Sequence, residues 1–236
     1  MNDNQHPMAL VTGASRGIGR AVALELAQQG WRVVCVARAQ RALEALDDEI
    51  KANGMGEATL VPLDITDYAG IDRLAAALYE RFGKLDALAS CAGALGALTP
   101  AHQATPAVME ETIAVNYLAN QRLIRAMHPL LRASDAGRAV FLTSGASRDP
   151  RAYWAPYAAS KAALDALVMC YAAELEVTPI KANLFNPGPT RTAMRAKAFP
   201  GEDAMTLPTP EEVAPAIVAM LQPGYSENGA WVQWKR

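Results

Sequence analysis

Apolar positions in this chain fall into short runs of strand length separated by longer stretches of helical spacing. The strand-like runs are 8–12, 32–37, 58–63, 87–90, 138–143, 181–185 and 230–234. Continuous apolar runs mark strands buried on both faces, and helical stretches between successive strands mark right-handed crossovers. The pattern predicts an α/β fold: a Rossmann-type, doubly wound parallel sheet of about seven strands with helices on both faces. No Pro/Gly/Ser-rich linker, composition shift or internal repeat divides the 236 residues, so 1–236 is expected to be one domain. A chain of that length buries about 70–75% of its extended surface, enough for a core without disulfides or metal.

The first run ends at Thr12 and passes into Gly13, Ser15, Arg16, Gly17, Ile18 and Gly19, then into the helical pattern Ala21, Val22, Leu24, Leu26, Ala27, closed by Gly30. Strand, glycine turn and helix in this order make a phosphate cradle. Gly13 permits the tight turn, Gly17 lets backbone approach an anion, and Gly19 lets the helix pack close, with the first N–H groups facing the charge. The spacing is Gly-x3-Gly-x-Gly rather than Gly-x-Gly-x2-Gly. In such sheets the ligand lies beyond the carboxyl ends of the strands. Gly13, Arg38, Asp64, Gly93, Ser144 and Pro187 each follow a predicted strand there.

Tyr157 and Lys161 stand four residues apart, thirteen or more beyond Ser144. On a helix they share a face, so the Lys161 ammonium is expected beside the Tyr157 phenol, favouring its ionised form. Moving a phenol from about 10 to about 7 takes about 4 kcal/mol. A charge at ~4 Å supplies that only at an effective dielectric near ~20, which means a partly dried cleft.

Thr12 and the glycine turn, Ser144, Tyr157-x3-Lys161 and Asn186-Pro187-Gly188, in this order and spacing, resemble the short-chain dehydrogenase/reductase family in its shorter single-domain branch. The likeness spans essentially residues 8–235. The segment 190–195, with Phe199, Pro200, Glu202 and Asp203, is similar to a bacterial subgroup most of whose members have no assigned substrate. The resemblance implies an NAD(P)-binding catalytic domain. Ser144 would hydrogen-bond a substrate carbonyl and Tyr157 would exchange its proton. Lys161 would lower the Tyr157 pKa and hold the nicotinamide ribose, and Asn116 would anchor a water leading to Lys161. By the same likeness Asp64 and Ile65 lie at the adenine, Ala92 and Gly93 form the cofactor floor, and Pro187, Gly188, Thr190 and Thr192 bind the carboxamide. Read without the family, Asp64 is equally a helix cap for the run from Asp67, and Asn116 a structural residue.

The position after the second strand holds Ala37 and then Arg38, where an enzyme preferring NAD carries an acidic residue. Arg38, Arg16 and Ser15 could reach a 2′-phosphate, so the cofactor is expected to be NADP(H). The expected activity is an oxidoreductase moving a hydride between nicotinamide and a carbonyl or secondary alcohol. A 3-oxoacyl-carrier protein reductase and a non-catalytic NADP-binding sensor or scaffold are the alternatives. One departure stands out. Where the family has Asn-Asn-Ala-Gly this chain has Ser90, Cys91, Ala92 and Gly93, and a weakly hydrogen-bonding thiol predicts a looser cofactor floor.

The segment 188–208, with Met194, Phe199, Met205 and Leu207, reads as a lid, and Leu95 and Leu98 add to an apolar pocket. Arg148, Arg151, Arg191 and Arg195 are either recognition groups for an acidic substrate or solvated surface charges. A net charge of −2, from 22 basic and 24 acidic residues, offers no footprint for nucleic acid or an anionic membrane. No apolar run reaches transmembrane length and the polar start from Asn2 to His6 is no signal peptide, so a cytoplasmic location is expected. Cys35, Cys91 and Cys170 are expected to be reduced, mostly buried thiols, and neither they nor His6, His102 and His128 have metal-ligand spacing. Ala158, Ala159, Ala162, Ala163, Ala166, Ala172 and Ala173 form a small-residue surface that, in the family, builds homodimers or homotetramers. Alanine is also simply the best helix former.

Overall fold

The structure is a computed structural model that describes residues 6–54 and 58–235; Asn2 to Gln5, part of the polar start, lie outside them. The elements in order are β1 (Met8–Thr12), α1 (Gly17–Gln28), β2 (Arg32–Ala37), α2 (Gln40–Ala52), β3 (Ala58–Pro62), α3 (Tyr68–Phe82) and β4 (Ala87–Ser90). They continue with α4 (Pro106–Ile113), a π-helical turn (Ala114–Leu118), α5 (Ala119–Arg132), β5 (Arg138–Leu142), α6 (Ala155–Glu174), β6 (Lys181–Asn186), α7 (Ala193–Ala198), α8 (Pro210–Leu221) and β7 (Trp231–Gln233). Among the described residues the strands form a seven-stranded parallel sheet in the order β3-β2-β1-β4-β5-β6-β7. This is the Rossmann-type α/β architecture that the apolar pattern predicts.

The apolar runs are continuous because both faces of each central strand are covered. Ala9 and Val11 of β1, Val33 and Cys35 of β2, and Val140 of β5 pack with α1, α2 and α8 on one face. Leu10, Val34, Leu88 and Phe141 point the other way, into α3, α5 and α6. Successive residues alternate faces at the strand period of two, so each strand feeds both cores. Phe141 and Phe185 are among the largest fully buried side chains. Truncating either to alanine costs about 3–5 kcal/mol.

Local chemistry sets the helix ends. Asp67 caps α3 by accepting from the Gly70 amide at 2.9 Å, and Gly83 ends it with φ 73°. Asp64 is therefore not that cap. Thr209 and Glu212 close a reciprocal capping box at the start of α8. Pro156 occupies the first turn of α6, where its missing N–H is no loss.

Candidate active site

The strand order reverses between β1 and β4, and in sheets of this kind the loops leaving the two strands at such a point part to admit a ligand at the carboxyl edge. Gly13 takes φ 68°, and a Cβ there would lie 3.0 Å from the Ala92 Cα and N. At Gly19 a Cβ would fall 2.4 Å from the Gly13 carbonyl oxygen, so the turn and the first helical residues touch only because both are glycine. No side chain of Arg16 caps α1, which leaves the first-turn amides open to an anion. Ser15 is half-buried, and Arg16 is exposed beside them.

The β4 side is tied more firmly than Cys91 suggests. Thr12 Oγ1 accepts from the amides of Cys91 at 3.1 Å and Ala92 at 3.2 Å, and it contacts Ser90 Oγ, which donates to Asn120 Oδ1 at 2.6 Å. Residue 91 need not supply the anchor. The expectation of a loose floor is corrected, because Thr12 of β1 holds the turn itself and Asn120 of α5 holds Ser90 at its start. Burial pushes the Cys91 thiol up to about 12, although the Lys161 ammonium pulls it the other way.

Arg38 and Asp64, at the ends of β2 and β3, form an ion pair at 3.7 Å with Arg38 largely exposed. Burial raises the Asp64 carboxyl, but hydrogen bonds from the Thr66 amide (2.9 Å) and hydroxyl (2.8 Å), together with Arg38, leave it below its ordinary value. Ile65 is buried beside it.

Ser144 follows β5 in an extended conformation, its Oγ accepting from the Ala146 amide at 3.2 Å. Tyr157 and Lys161 are both buried on α6, one turn apart. Lys161 Nζ donates to the Leu142 carbonyl at 2.7 Å and lies 5.9 Å from the centre of the Tyr157 ring. Burial raises the Tyr157 pKa, and a hydrogen bond with Ser144 opposes that rise. Burial lowers Lys161 to about 8, against Asp165 and Cys91, which raise it. The expected phenol acidification is thus reversed: burial of Tyr157 outweighs its Ser144 hydrogen bond, and burial of Lys161 outweighs Asp165 and Cys91.

Asn116 lies not in a regular helix but in the π-helical turn between α4 and α5, fully buried. The inserted residue turns its side chain toward the β4 loop. Its Oδ1 accepts from the Ala94 amide and its Nδ2 donates to the Ala94 carbonyl, both at 2.8 Å, and to Ser160 Oγ at 2.9 Å. Gly93 sits between: a Cβ there would be 3.3 Å from Asn116 Oδ1 and 3.7 Å from Lys161 Nζ.

After β6, Asn186 Oδ1 accepts from the Gly188 amide at 3.0 Å, Gly188 takes φ 67°, and Thr190 Oγ1 donates to the Pro187 carbonyl at 3.3 Å. Thr192 caps α7, and its methyl lies 3.5 Å from where a Gly17 Cβ would stand. The lid thus begins against the glycine turn. A Cβ at Gly93 would likewise meet Met194 at 3.9 Å.

Two of the four arginines are engaged within the lid. Arg191 donates to the Ala204, Met205 and Leu207 carbonyls, and Arg195 makes two 2.6 Å hydrogen bonds to Glu202 while lying 3.7 Å over the Phe199 ring. Arg148 lies 4.1 Å over Trp231, and Arg151 is exposed. A cavity of about 360 Å³ lies inside the lid, bounded by Thr192, Ala196, Phe199, Pro200 and Leu207. Met205 faces solvent and Cys170 is exposed, against expectation for both.

Two residues near the site went unread in the sequence. Trp154 packs edge-on to Tyr157 at 5.9 Å and against Phe199 at 5.6 Å, joining α6 to the segment 188–208. Asp165 stands four residues past Lys161, a spacing that could have revealed it.

Residues 7–203 match the family model for short chain dehydrogenases. The oxidoreductase YciK of Escherichia coli, itself uncharacterized, is 37% identical over 214 residues, covering 90% of this chain and 84% of its own. A short chain dehydrogenase structure from Pseudomonas syringae superposes with TM-score 0.93 at 35% identity, covering 99% of both chains. Another from Escherichia coli, complexed with NADPH, gives TM-score 0.90 at 34% identity over 98% of this chain and 96% of that one.

Proposed function

This chain belongs to the short-chain dehydrogenase family of oxidoreductases, and from that premise we propose that it is an NADP(H)-dependent carbonyl reductase, reversible as an alcohol dehydrogenase. The observation that carries the reading is the convergence of Ser144, Tyr157 and Lys161 beside the glycine turn at the switch point of the sheet. NADPH, when bound, supplies the hydride. Tyr157 gives its proton to the carbonyl oxygen that Ser144 holds, and the Lys161 ammonium stabilises the phenolate that this leaves. Asn116 fixes the β4 loop and lines the Lys161 side of the cleft.

Gly13, Gly17, Ile18 and Gly19 would hold the pyrophosphate, and Asp64 and Ile65 would border the adenine. Ala92 and Gly93 would form the floor, with Tyr157 and Lys161 at the ribose and Pro187, Gly188, Thr190 and Thr192 at the carboxamide. Arg38, Arg16 and Ser15 favour a 2′-phosphate, and the NADPH complex of the Escherichia coli neighbour supports that choice. The substrate we assign is a neutral, apolar ketone or aldehyde. Arg191 and Arg195 are engaged within the lid, and Trp154 and Phe199 present ring surface near Tyr157. A 3-oxoacyl-carrier reductase would want free cations at that mouth.

We further assign one domain, a cytoplasmic location and a homodimer or homotetramer built on the exposed Ala159, Ala162, Ala166 and Ala173 of α6. No helix among the described residues is long and apolar enough to cross a membrane. The deciding experiment is a panel of ketones and aldehydes followed by loss of NADPH absorbance, with Tyr157→Phe as blank. Wild type should turn over several neutral carbonyls and Tyr157→Phe should lose roughly 100- to 10,000-fold in kcat with NADPH affinity kept. NADPH binding without turnover of any of them would leave a sensor, and preference for acyl-carrier thioesters the carrier reductase.

A further inference from the structure

Helix α6 carries a third polar side chain on the face of Tyr157 and Lys161. Asp165 stands one turn past Lys161, so the three follow at i, i+4 and i+8. Its half-buried carboxylate accepts from three elements: Thr143 Oγ1 just after β5, Ser147 Oγ at 2.6 Å in the turn that follows, and Trp231 Nε1 of β7 at 3.0 Å. Thr143 and Ser147 flank Ser144 on either side. Each partner has an O–H or N–H to donate, and an aspartate carboxylate has acceptor sites enough for all three.

The surroundings of Lys161 otherwise offer little to hold a positive charge. Tyr157 faces it from α6, the Leu142 carbonyl from β5, the Cys91 thiol from the loop after β4, and Gly93 with Asn116 from the π-helical side. Arg148, stacked on Trp231, is a further cation bordering the Asp165 network. Asp165 is the carboxylate in this set.

We infer that Asp165 is the positioning residue of the site: it clamps the Ser144 turn to α6 and β7, and it is the counter-charge that keeps the buried Lys161 protonated. The two tasks are separable. Asp165→Asn removes the charge at nearly constant shape, whereas Thr143→Val with Ser147→Ala removes two arms of the clamp and leaves the charge. The inference rests on the reading of Ser144, Tyr157 and Lys161 as the reacting set.

The test is an NMR titration of the full-length protein labelled with ¹⁵N at the lysine Nζ, Lys161 being assigned with Lys161→Met, alongside pH profiles of kcat/KM for a neutral ketone. Asp165→Asn should move the Lys161 titration down by about one pH unit, with the alkaline limb of kcat/KM following it. The Thr143→Val/Ser147→Ala pair should lower kcat by about 10-fold and leave both titrations in place. An unmoved Lys161 titration in Asp165→Asn overturns the counter-charge, and wild-type kcat in the double variant overturns the clamp. Should Asp165→Asn not fold, Asp165→Ser decides: a Lys161 titration moved down by about one pH unit with kcat down about 10-fold supports both tasks, an unmoved titration overturns the counter-charge, and wild-type kcat overturns the clamp. If wild type reduces no carbonyl, the catalytic reading fails on its own, because the titration needs no turnover.

Discussion

Lys161 gives its hydrogen bond to the Leu142 carbonyl at 2.7 Å and stands 5.9 Å from the centre of the Tyr157 ring, so the cation is held by backbone while it faces the phenol. At about 6 Å and an effective dielectric near ~20 the attraction to a phenolate is about 3 kcal/mol. Burial acts against ionisation of both groups and prevails while Tyr157 is neutral. Under the proposed reaction the ammonium would meet the charge that forms as the proton leaves, which is where electrostatic preorganisation accelerates a reaction.

A buried lysine also weakens the fold. The folded value of about 8 lies below the 10.5 of the free side chain, so between these pH values the unfolded chain holds the extra proton and this group's contribution to stability rises with pH. Its cost is complete below pH 8, about 3 kcal/mol from the span between the two values. Lys161→Met should gain about 1–2 kcal/mol at pH 7, the rest being lost with the Leu142 hydrogen bond. Urea unfolding of both proteins from pH 7 to 10.5 should show this advantage shrinking as pH rises; a constant difference contradicts the assignment.

Arg38 is the side chain at the end of β2 best exposed to a phosphate, with Asp64 as its present partner. Arg38→Asp should reduce the preference for NADPH over NADH by about 10- to 100-fold, the worth of one charge-assisted contact. Initial rates with each dinucleotide measure it, and an unchanged ratio removes Arg38 from the cofactor.

The Arg195–Glu202 pair separates two ideas about the lid. If Arg195 serves as lid scaffold, Glu202→Gln should raise KM by a few-fold for neutral and carboxylated ketones alike, since Phe199 loses the support of a fixed guanidinium. If instead Arg195 awaits an acidic substrate, freeing it should lower KM for the carboxylated ketone alone.

Thr12 accepts two backbone amides of the β4 turn, and Val at that position would leave both without their partner. Thr12→Val should weaken NADPH binding by about 10-fold, while Cys91→Asn should change it by less than about 3-fold. Fluorescence titration of NADPH compares the two. A larger gain from Cys91→Asn would restore residue 91 as the anchor of the floor.

The seven strands were legible in the chain because burial on both faces leaves an apolar run that depends only on near neighbours. Most ends agree within a residue or two; β7 is shorter, 231–233 against an expected 230–234. The Gly13 turn was equally legible, since positive φ and close backbone approach leave glycine as the residue that fits. Pairings between distant loops were not. That Thr192 meets Gly17 and that Arg38 meets Asp64 follow from which loops the sheet order sets side by side, while Arg191 and Arg195 turn inward on partners within their own segment, whose irregular fold no period announces.

What the sequence by itself determined is the order of strands and helices, the glycine turn and the Tyr157–Lys161 spacing, all consequences of local geometry and of periods of two and 3.6 residues. Only the tertiary structure decided the sign of the Tyr157 shift, the π-helical placement of Asn116 and the gathering of Thr143, Ser147 and Trp231 around Asp165. Those depend on desolvation and on partners as far as 88 residues apart along the chain, from Thr143 to Trp231. Neither is encoded until the chain has closed around the site.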